Sequence, residues 1–248
     1  MRWLIACSVL LALLLVGPAT LLAGGRVELG GKWYEADRSP TGLAPDPGAH
    51  PGAVVQVYAA RAFDWRGVFA VHTWIATKKP GADRYRSYQV TRWDPAPLPA
   101  GHAAPDRHWF GSRPVLLADL RGEAAAALVG RIAAAAADYP LAGDYRTWPG
   151  PNSNTFTAWV LRRVPGLDVE LPPTAIGKDY LHDAWLAPAP SATGYQVSAG
   201  GLVGVTLARA EGLELNLFGA VLGLDPGDLA LKLPGLGRVG PGADLPTG

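Results

Sequence analysis

The chain has 248 residues, a formal net charge of +1 at pH 7, and only 17% charged residues beside 49% hydrophobic ones. This near-neutral balance, together with the absence of any run of Lys and Arg, excludes an electrostatic surface for nucleic acid. The hydrophobic content is enough for a sizeable core, and the length fits one domain or at most two small ones.

The first 25 residues differ from the rest of the chain. Residues 3–25 carry no charge and follow Arg2, a pattern typical of a secretory signal peptide or an uncleaved membrane anchor. We therefore expect a protein of the bacterial cell envelope, either anchored in the inner membrane or periplasmic. The single cysteine, Cys7, lies within this segment, so the remainder has neither a disulfide nor a thiolate metal site.

Residues 26–53 show no sustained periodicity and are interpreted as a linker. Three segments rich in β-branched and aromatic residues follow, separated by turn signals, and predict a β-meander over 54–62, 68–78 and 84–93. A further short strand is predicted at 114–120.

Two helices are predicted beyond these strands. The clearest covers 122–140, is dominated by Ala and ends at a proline. The second runs from about 152 to 163. Residues 54–190 are thus expected to form one α+β domain, an antiparallel sheet packed on helices. The Gly- and Leu-rich residues 191–248 are expected to form an extension of short strands, such as a pair of hairpins packed on this domain.

The start of the second helix raises a functional question. Asn152 is a good N-cap residue, which would place Ser153 at the first helical position, where unpaired N–H groups and the helix dipole favour negative charge. Ser153 is therefore a candidate nucleophile, or else a residue that only helps to begin the helix. The Ser153 backbone N–H, helped by the Asn152 or Asn154 side chain, would receive an oxyanion.

A general base is suggested within the second predicted strand. His72 lies in the middle of an apolar run, where an imidazole is either buried and hydrogen-bonded or lines a site. Trp74 shares its face of the strand and is assigned to substrate binding. Pairing of positions 77 and 84 would place Gln89 opposite His72, where it would fix the orientation of the ring. The polar run 175–183 could approach a site as a polar loop, but it is interpreted as a solvated connection.

Four stretches resemble an uncharacterised bacterial family, domain-of-unknown-function family 3750: HTWIATK (72–78), YRTWPGPNSNTF (145–156), LPPTAIGKDYL (171–181) and PGLGRVG (234–240). More distantly, a strand with His72 followed by a helix that opens at 152–156 is similar to the permuted papain-like superfamily, which includes the lecithin retinol acyltransferase-like proteins. There the helix opens with Asn-Cys-x-x-Phe, and here Ser153 stands in the Cys position. The resemblance implies a circularly permuted papain-like arrangement.

Two hypotheses follow. The first is an exported hydrolase or acyltransferase that acts on an amide or ester, in a cell-wall peptide or a lipid acyl group, with Ser153 as nucleophile, His72 as base and Gln89 as orienting residue. The second is an inactive, membrane-tethered binding or structural module on the same fold. A serine hydroxyl is much less acidic than a thiol, so the first hypothesis needs a well-aligned base. Neither requires a metal or another cofactor, and no residue spacing suggests one.

Overall fold

The computed structural model describes residues 1–94 and 103–241. Helix α1 spans Arg2–Ala23 and is the first element of the chain. Its 22 residues extend for about 33 Å, which matches a hydrocarbon core of about 30 Å. It is long and apolar enough to cross a membrane, with a mean hydropathy of 2.4, and a secretory signal has the same properties.

The first sheet has four antiparallel strands in the order β3-β2-β1-β4. They are β1 (Val54–Arg61), β2 (Val71–Lys78), β3 (Arg86–Tyr88) and β4 (Val115–Arg121). The predicted meander is present. Strand β3 is much shorter than predicted, because the chain leaves the ladder after Tyr88 and closes a turn between Thr91 and Asp94.

Helices α2 (Gly122–Ala137) and α3 (Ser153–Arg163) pack on this sheet. The small side chains of Ala125 and Ala136 are fully buried, which lets α2 lie close to β1. Two antiparallel sheets with helices confirm the predicted α+β class.

The C-terminal part of the chain forms a second sheet that is larger than a pair of hairpins. Seven antiparallel strands follow one another as neighbours. They are β5 (Leu186–Pro188), β6 (Gly194–Ala199), β7 (Val203–Ala208), β8 (Gly212–Leu217), β9 (Ala220–Asp225), β10 (Ala230–Leu233) and β11 (Gly237–Val239).

This second sheet has its polar side chains inside and its apolar side chains outside. Along β7, for example, Thr206 is buried while Val205 and Leu207 are 46% and 68% exposed. The same alternation holds in β6, β8 and β10, so the apolar positions align across the strands on one surface. We call this surface the outward face. Its most exposed members are Tyr195, Val197, Val203, Val205, Leu207, Leu213, Leu215, Leu224 and Leu231.

The inner face of the sheet carries a buried ion-pair network. Glu214 accepts hydrogen bonds from the ammonium groups of Lys178 and Lys232, at 2.7 and 2.8 Å, and all three side chains are at most 2% exposed. Lys232 also contacts Glu170 at 2.6 Å, and Glu170 contacts Arg238. Because these charges are paired where they lie, a register slip that turned them outward would break the network.

Helix α1 is attached to the second sheet near its C-terminal end. Gly17, Pro18 and Leu21 are its buried residues, and they pack on the β10–β11 turn at 234–236. A Cβ atom at Gly17 would overlap the carbonyl group of Pro234. The absence of a side chain at Gly17 is therefore what allows this contact.

We predict that Gly17→Val separates α1 from the domain. The added side chain cannot fit against the Pro234 carbonyl, so the contact must open. Amide hydrogen exchange at Gly235 and Leu236 should rise at least ~10-fold in detergent. Ala12→Val, at an exposed position of the same helix, is the matched control. Equal exchange in the two variants would contradict this account of the contact.

Candidate active site

The start of α3 is closed by a complete capping box. The side-chain oxygen of Asn152 accepts hydrogen bonds from the backbone N–H groups of Asn154 and Thr155, and the Thr155 hydroxyl accepts one from the Asn152 backbone N–H. This confirms Asn152 as the N-cap and Ser153 as the first helical residue. The Ser153 backbone N–H has no acceptor among the residues that the structure describes.

The amide groups of both asparagines hold the helix in place. Asn152 donates to the carbonyls of Thr147 and Ile176, and Asn154 donates to those of Val71 and Ile176. All four side-chain N–H bonds are therefore already used. In this arrangement neither amide has a proton available for an oxyanion, and the backbone N–H of Ser153 is the remaining donor of the predicted set.

Polar contacts also fix α3 against strand β2. The Thr73 hydroxyl, which is fully buried, lies 2.9 Å from Asn154 Oδ1 and 2.9 Å from Thr157 Oγ1. Thr73 is the neighbour of His72 in the strand, so these bonds set the distance between the first turn of α3 and the imidazole. A buried polar contact is directional, so it fixes the relative position of the two elements more tightly than apolar packing would.

The interpretation of 175–183 as a solvated connection is wrong for residues 175–181, which are buried or half-buried, while residues 182 and 183 are exposed. The carbonyls of Ile176 and Gly177 accept hydrogen bonds from the α3 cap, including one of 2.7 Å from the Thr155 hydroxyl. Gly177 has φ +102°, and a Cβ atom there would overlap the Asn152 amide. Lys178 and Asp179 are buried as well. Sequence alone did not show that the polar residues had buried partners elsewhere in the chain.

His72 is buried, oriented and neutral. Its Nε2 atom lies 2.9 Å from Gln89 Oε1, and its ring stacks on Trp109 with the centroids 3.6 Å apart. Because an amide oxygen only accepts, Nε2 carries the proton and Nδ1 is left as the acceptor. Burial lowers the pKa of His72 to about 4, against a smaller upward effect of the hydrogen bond with Gln89. His72 is therefore an unprotonated imidazole at neutral pH, as a general base must be.

The predicted strand register was wrong by two residues. Thr77 pairs with Arg86 instead of position 84, and β3 ends before Gln89. Gln89 contacts His72 from the irregular segment that follows the strand. A register shift of two residues leaves every side chain on the same face of the sheet. The predicted pair of His72 and Gln89 is therefore found although the register was wrong.

His72, Gln89 and Ser153 line one large cavity. Its volume is about 1470 Å³, and most of its lining is apolar or aromatic. Ser153 is 3% exposed, and its hydroxyl makes no hydrogen bond within residues 1–94 and 103–241. The structure contains no hydrogen bond between Ser153 Oγ and His72. The strand-borne imidazole and the helix-borne hydroxyl thus share a cavity without a hydrogen bond between them.

Trp74 does not line this cavity. It stacks on Tyr58 with the ring centroids 5.2 Å apart, its Nε1 donates to the carbonyl of Pro105, and it is 4% exposed. It borders a separate recess of about 20 Å³. Trp74 lies two residues from His72 along the strand, and this separation places its side chain outside the cavity. It therefore belongs to the packing behind His72.

The cavity also collects four arginines that the sequence did not single out: Arg38, Arg66, Arg92 and Arg107. None of them forms an ion pair with the described residues, and no Asp or Glu is among the described residues of the lining. Burial lowers the pKa of Arg107, and the positive charge of Arg38 lowers it further. The four residues are far apart in sequence, so no basic run indicated them.

Within residues 1–94 and 103–241, no group of three or more His, Cys, Asp or Glu is placed to hold a metal ion. The polar groups of the lining include a neutral base, a hydroxyl, one unpaired backbone N–H and several guanidinium groups. This set can accept a proton and stabilise negative charge.

The fold and the site together define an α+β protein with an apolar N-terminal helix and a large cavity between that helix and the domain. The family described as "Protein of unknown function (DUF3750)" matches residues 52–180, just over half of the chain. The chain belongs to this family. No curated protein and no solved structure matches it.

Proposed function

We propose that the protein is a membrane-anchored hydrolase or acyltransferase of the bacterial cell envelope that acts on an ester or amide through Ser153 and His72. The observation that carries the proposal is the shared cavity. A serine at a helix N-terminus and a neutral histidine, oriented by a glutamine, open into the same apolar space. The permuted papain-like arrangement is part of the proposal, since α3 begins against the strand that bears the base.

In the proposed reaction, Ser153 Oγ attacks the carbonyl carbon while His72 Nδ1 takes the hydroxyl proton. The oxyanion forms near the unpaired Ser153 N–H and the positive end of α3. The imidazolium then returns its proton to the leaving alcohol or amine, and water or a second alcohol releases the acyl group. Hydrogen bonds between nucleophile and base are commonly long without substrate, so their absence here is compatible with this role.

The lining favours a lipid over a cell-wall peptide as substrate. Apolar and aromatic side chains suit acyl chains, and the unpaired arginines suit an acidic headgroup. The wall formed by Leu10, Leu14 and Leu15 of α1 would give a lipid a route from the bilayer into the cavity.

A second candidate function is ligand binding without chemistry. The cavity exceeds the range of about 300–1000 Å³ that is usual for small-molecule pockets, and Ser153 Oγ is not hydrogen-bonded to His72. A carrier or tethered binding module for an amphiphile would show both features.

An alkyl fluorophosphonate probe, which labels activated serines, separates the two functions. We expect labelling of the full-length protein in detergent and none of Ser153→Ala, because the hydroxyl is the only group that would react. Ser191→Ala, which removes a buried hydroxyl bonded to Glu211, is the control and should keep labelling.

Labelling that persists in Ser153→Ala would exclude Ser153 as the nucleophile. If the parent does not react but Ser153→Cys reacts with a thiol-directed acyl probe, the site is of the cysteine type and has lost its activity. The first result would point to another serine as the nucleophile, and the second would leave ligand binding as the better function.

A further inference from the structure

The outward face of the second sheet departs from an ordinary globular surface, because its exposed side chains are apolar. Three apolar rows cross it in register. The first joins Tyr195, Leu207, Leu213, Leu224 and Leu231, the second joins Val197, Val205, Leu215 and Leu222, and the third joins Val203, Leu217 and Ala220. None of these twelve positions carries a charge.

The size of this surface indicates an interaction site. Its twelve positions, about 4.8 Å apart across the strands and about 6.8 Å apart along them, cover about 400 Å². Contiguous apolar patches above a few hundred Å² on a soluble monomer mark contacts with a protein or a membrane. The face cannot be explained by a strand that has slipped, because Glu214, Lys178 and Lys232 are paired on the inner side.

The outward face is continuous with the apolar helix. Leu217 and Ala220 belong to its third row and also line the large cavity, as do Leu10 and Leu14 of α1. Helix α1 itself packs on the β10–β11 turn of the same sheet. Among residues 1–94 and 103–241, the helix that is apolar enough to cross a bilayer thus adjoins this surface.

Exposed aromatic residues stand along the border of this surface. Trp148 is 52% exposed and donates through Nε1 to the carbonyl of Phe218, which is 64% exposed at the β8–β9 turn. Trp185 and Tyr195 are 72% and 64% exposed beside β5 and on β6. Tryptophan and tyrosine are enriched where protein meets the headgroup region of a membrane, because their rings are apolar and carry a polar tip.

We propose that the outward face of the second sheet rests in the surface of the same phospholipid bilayer that α1 enters. The protein is then held by two elements, a helix and a sheet. The opening of the cavity lies between them at the level of the lipids. This proposal concerns the docking of the chain and is independent of whether Ser153 is a nucleophile.

The test measures the depth of the sheet in a membrane. Val205→Cys, in a Cys7→Ala background, is labelled with an environment-sensitive fluorophore in the full chain. The protein is reconstituted in phosphatidylcholine–phosphatidylglycerol vesicles that contain brominated lipid. Ala127→Cys, on the exposed side of α2, is the matched control. Thermal unfolding in detergent checks that each variant is folded.

We expect brominated lipid to remove about half of the emission at position 205 and almost none at position 127, since interfacial apolar faces lie about 5–10 Å inside the headgroup boundary. Equal quenching at the two positions would overturn the proposal. So would energy transfer between two copies labelled at position 205 without lipid quenching, because it would identify the face as a contact between copies.

Discussion

His72→Gln should lower the rate of Ser153 labelling by about 10²–10⁴-fold, the usual contribution of a general base. Glutamine has a similar volume and keeps a polar group beside Gln89, but it cannot take the serine proton. The stacking partner Trp109 and the hydrogen bonds of Thr73 are unaffected, so the fold should persist. The measurement is the second-order rate of labelling by the fluorophosphonate probe, with circular dichroism as the check of folding.

The pH dependence of labelling distinguishes a base from a packing residue. His72 accepts a proton only when it is neutral, and burial lowers the pKa of His72 to about 4. The acid limb of the rate should therefore lie near pH 4, with full reactivity at pH 6, where an ordinary histidine would be largely protonated.

Gln89→Glu should move this acid limb to higher pH, since a carboxylate beside Nε2 stabilises the imidazolium and raises the pKa of His72. Gln89→Leu should not move the acid limb of the labelling rate to higher pH. An acid limb that is the same in the parent protein and in Gln89→Glu would contradict the assignment of Gln89 as the positioning residue of the base.

The second large effect concerns stability. Glu214→Gln should lower the free energy of unfolding by about 3–5 kcal/mol, because it leaves two buried ammonium groups without their shared counter-charge. Burial alone would raise the pKa of Glu214, but Lys178 and Lys232 outweigh it, so the pKa lies below its ordinary value. The carboxylate is thus charged in the folded protein, and its contribution is lost only as the pH falls through that lowered pKa.

Urea unfolding in detergent measures this change. Glu123→Gln, on the exposed first turn of α2, is the matched control and should change the free energy of unfolding by no more than about 0.5 kcal/mol. The triple variant Lys178→Met, Glu214→Leu, Lys232→Met should be less destabilised than Glu214→Gln, since it removes every charge of the triad. A triple variant that is less stable than the single one would show that the triad contributes more than its own desolvation costs.

The outward face of the second sheet shows a feature that a sequence pattern cannot predict. The alternation in residues 194–233 predicts strands, because side chains alternate between two faces with a period of two. The same alternation does not predict which face of the sheet is buried. Apolar residues are normally inside, and here Glu214 and Lys232 are inside because Lys178 and Glu170 reach them from distant parts of the chain.

The sequence by itself determined the local structure. It predicted α1, the meander, α2 and the capped start of α3, since each depends on near neighbours: apolar length, β-branched content, alanine content and an asparagine that suits the N-cap position. It also selected His72, Ser153 and Gln89 from residue type and spacing. Only the tertiary structure decided what depends on distance in space. It placed Trp74 behind the site, committed the amides of Asn152 and Asn154 to backbone carbonyls, and gathered four separate arginines around one cavity. Such contacts join residues far apart in the chain, and no local pattern encodes them.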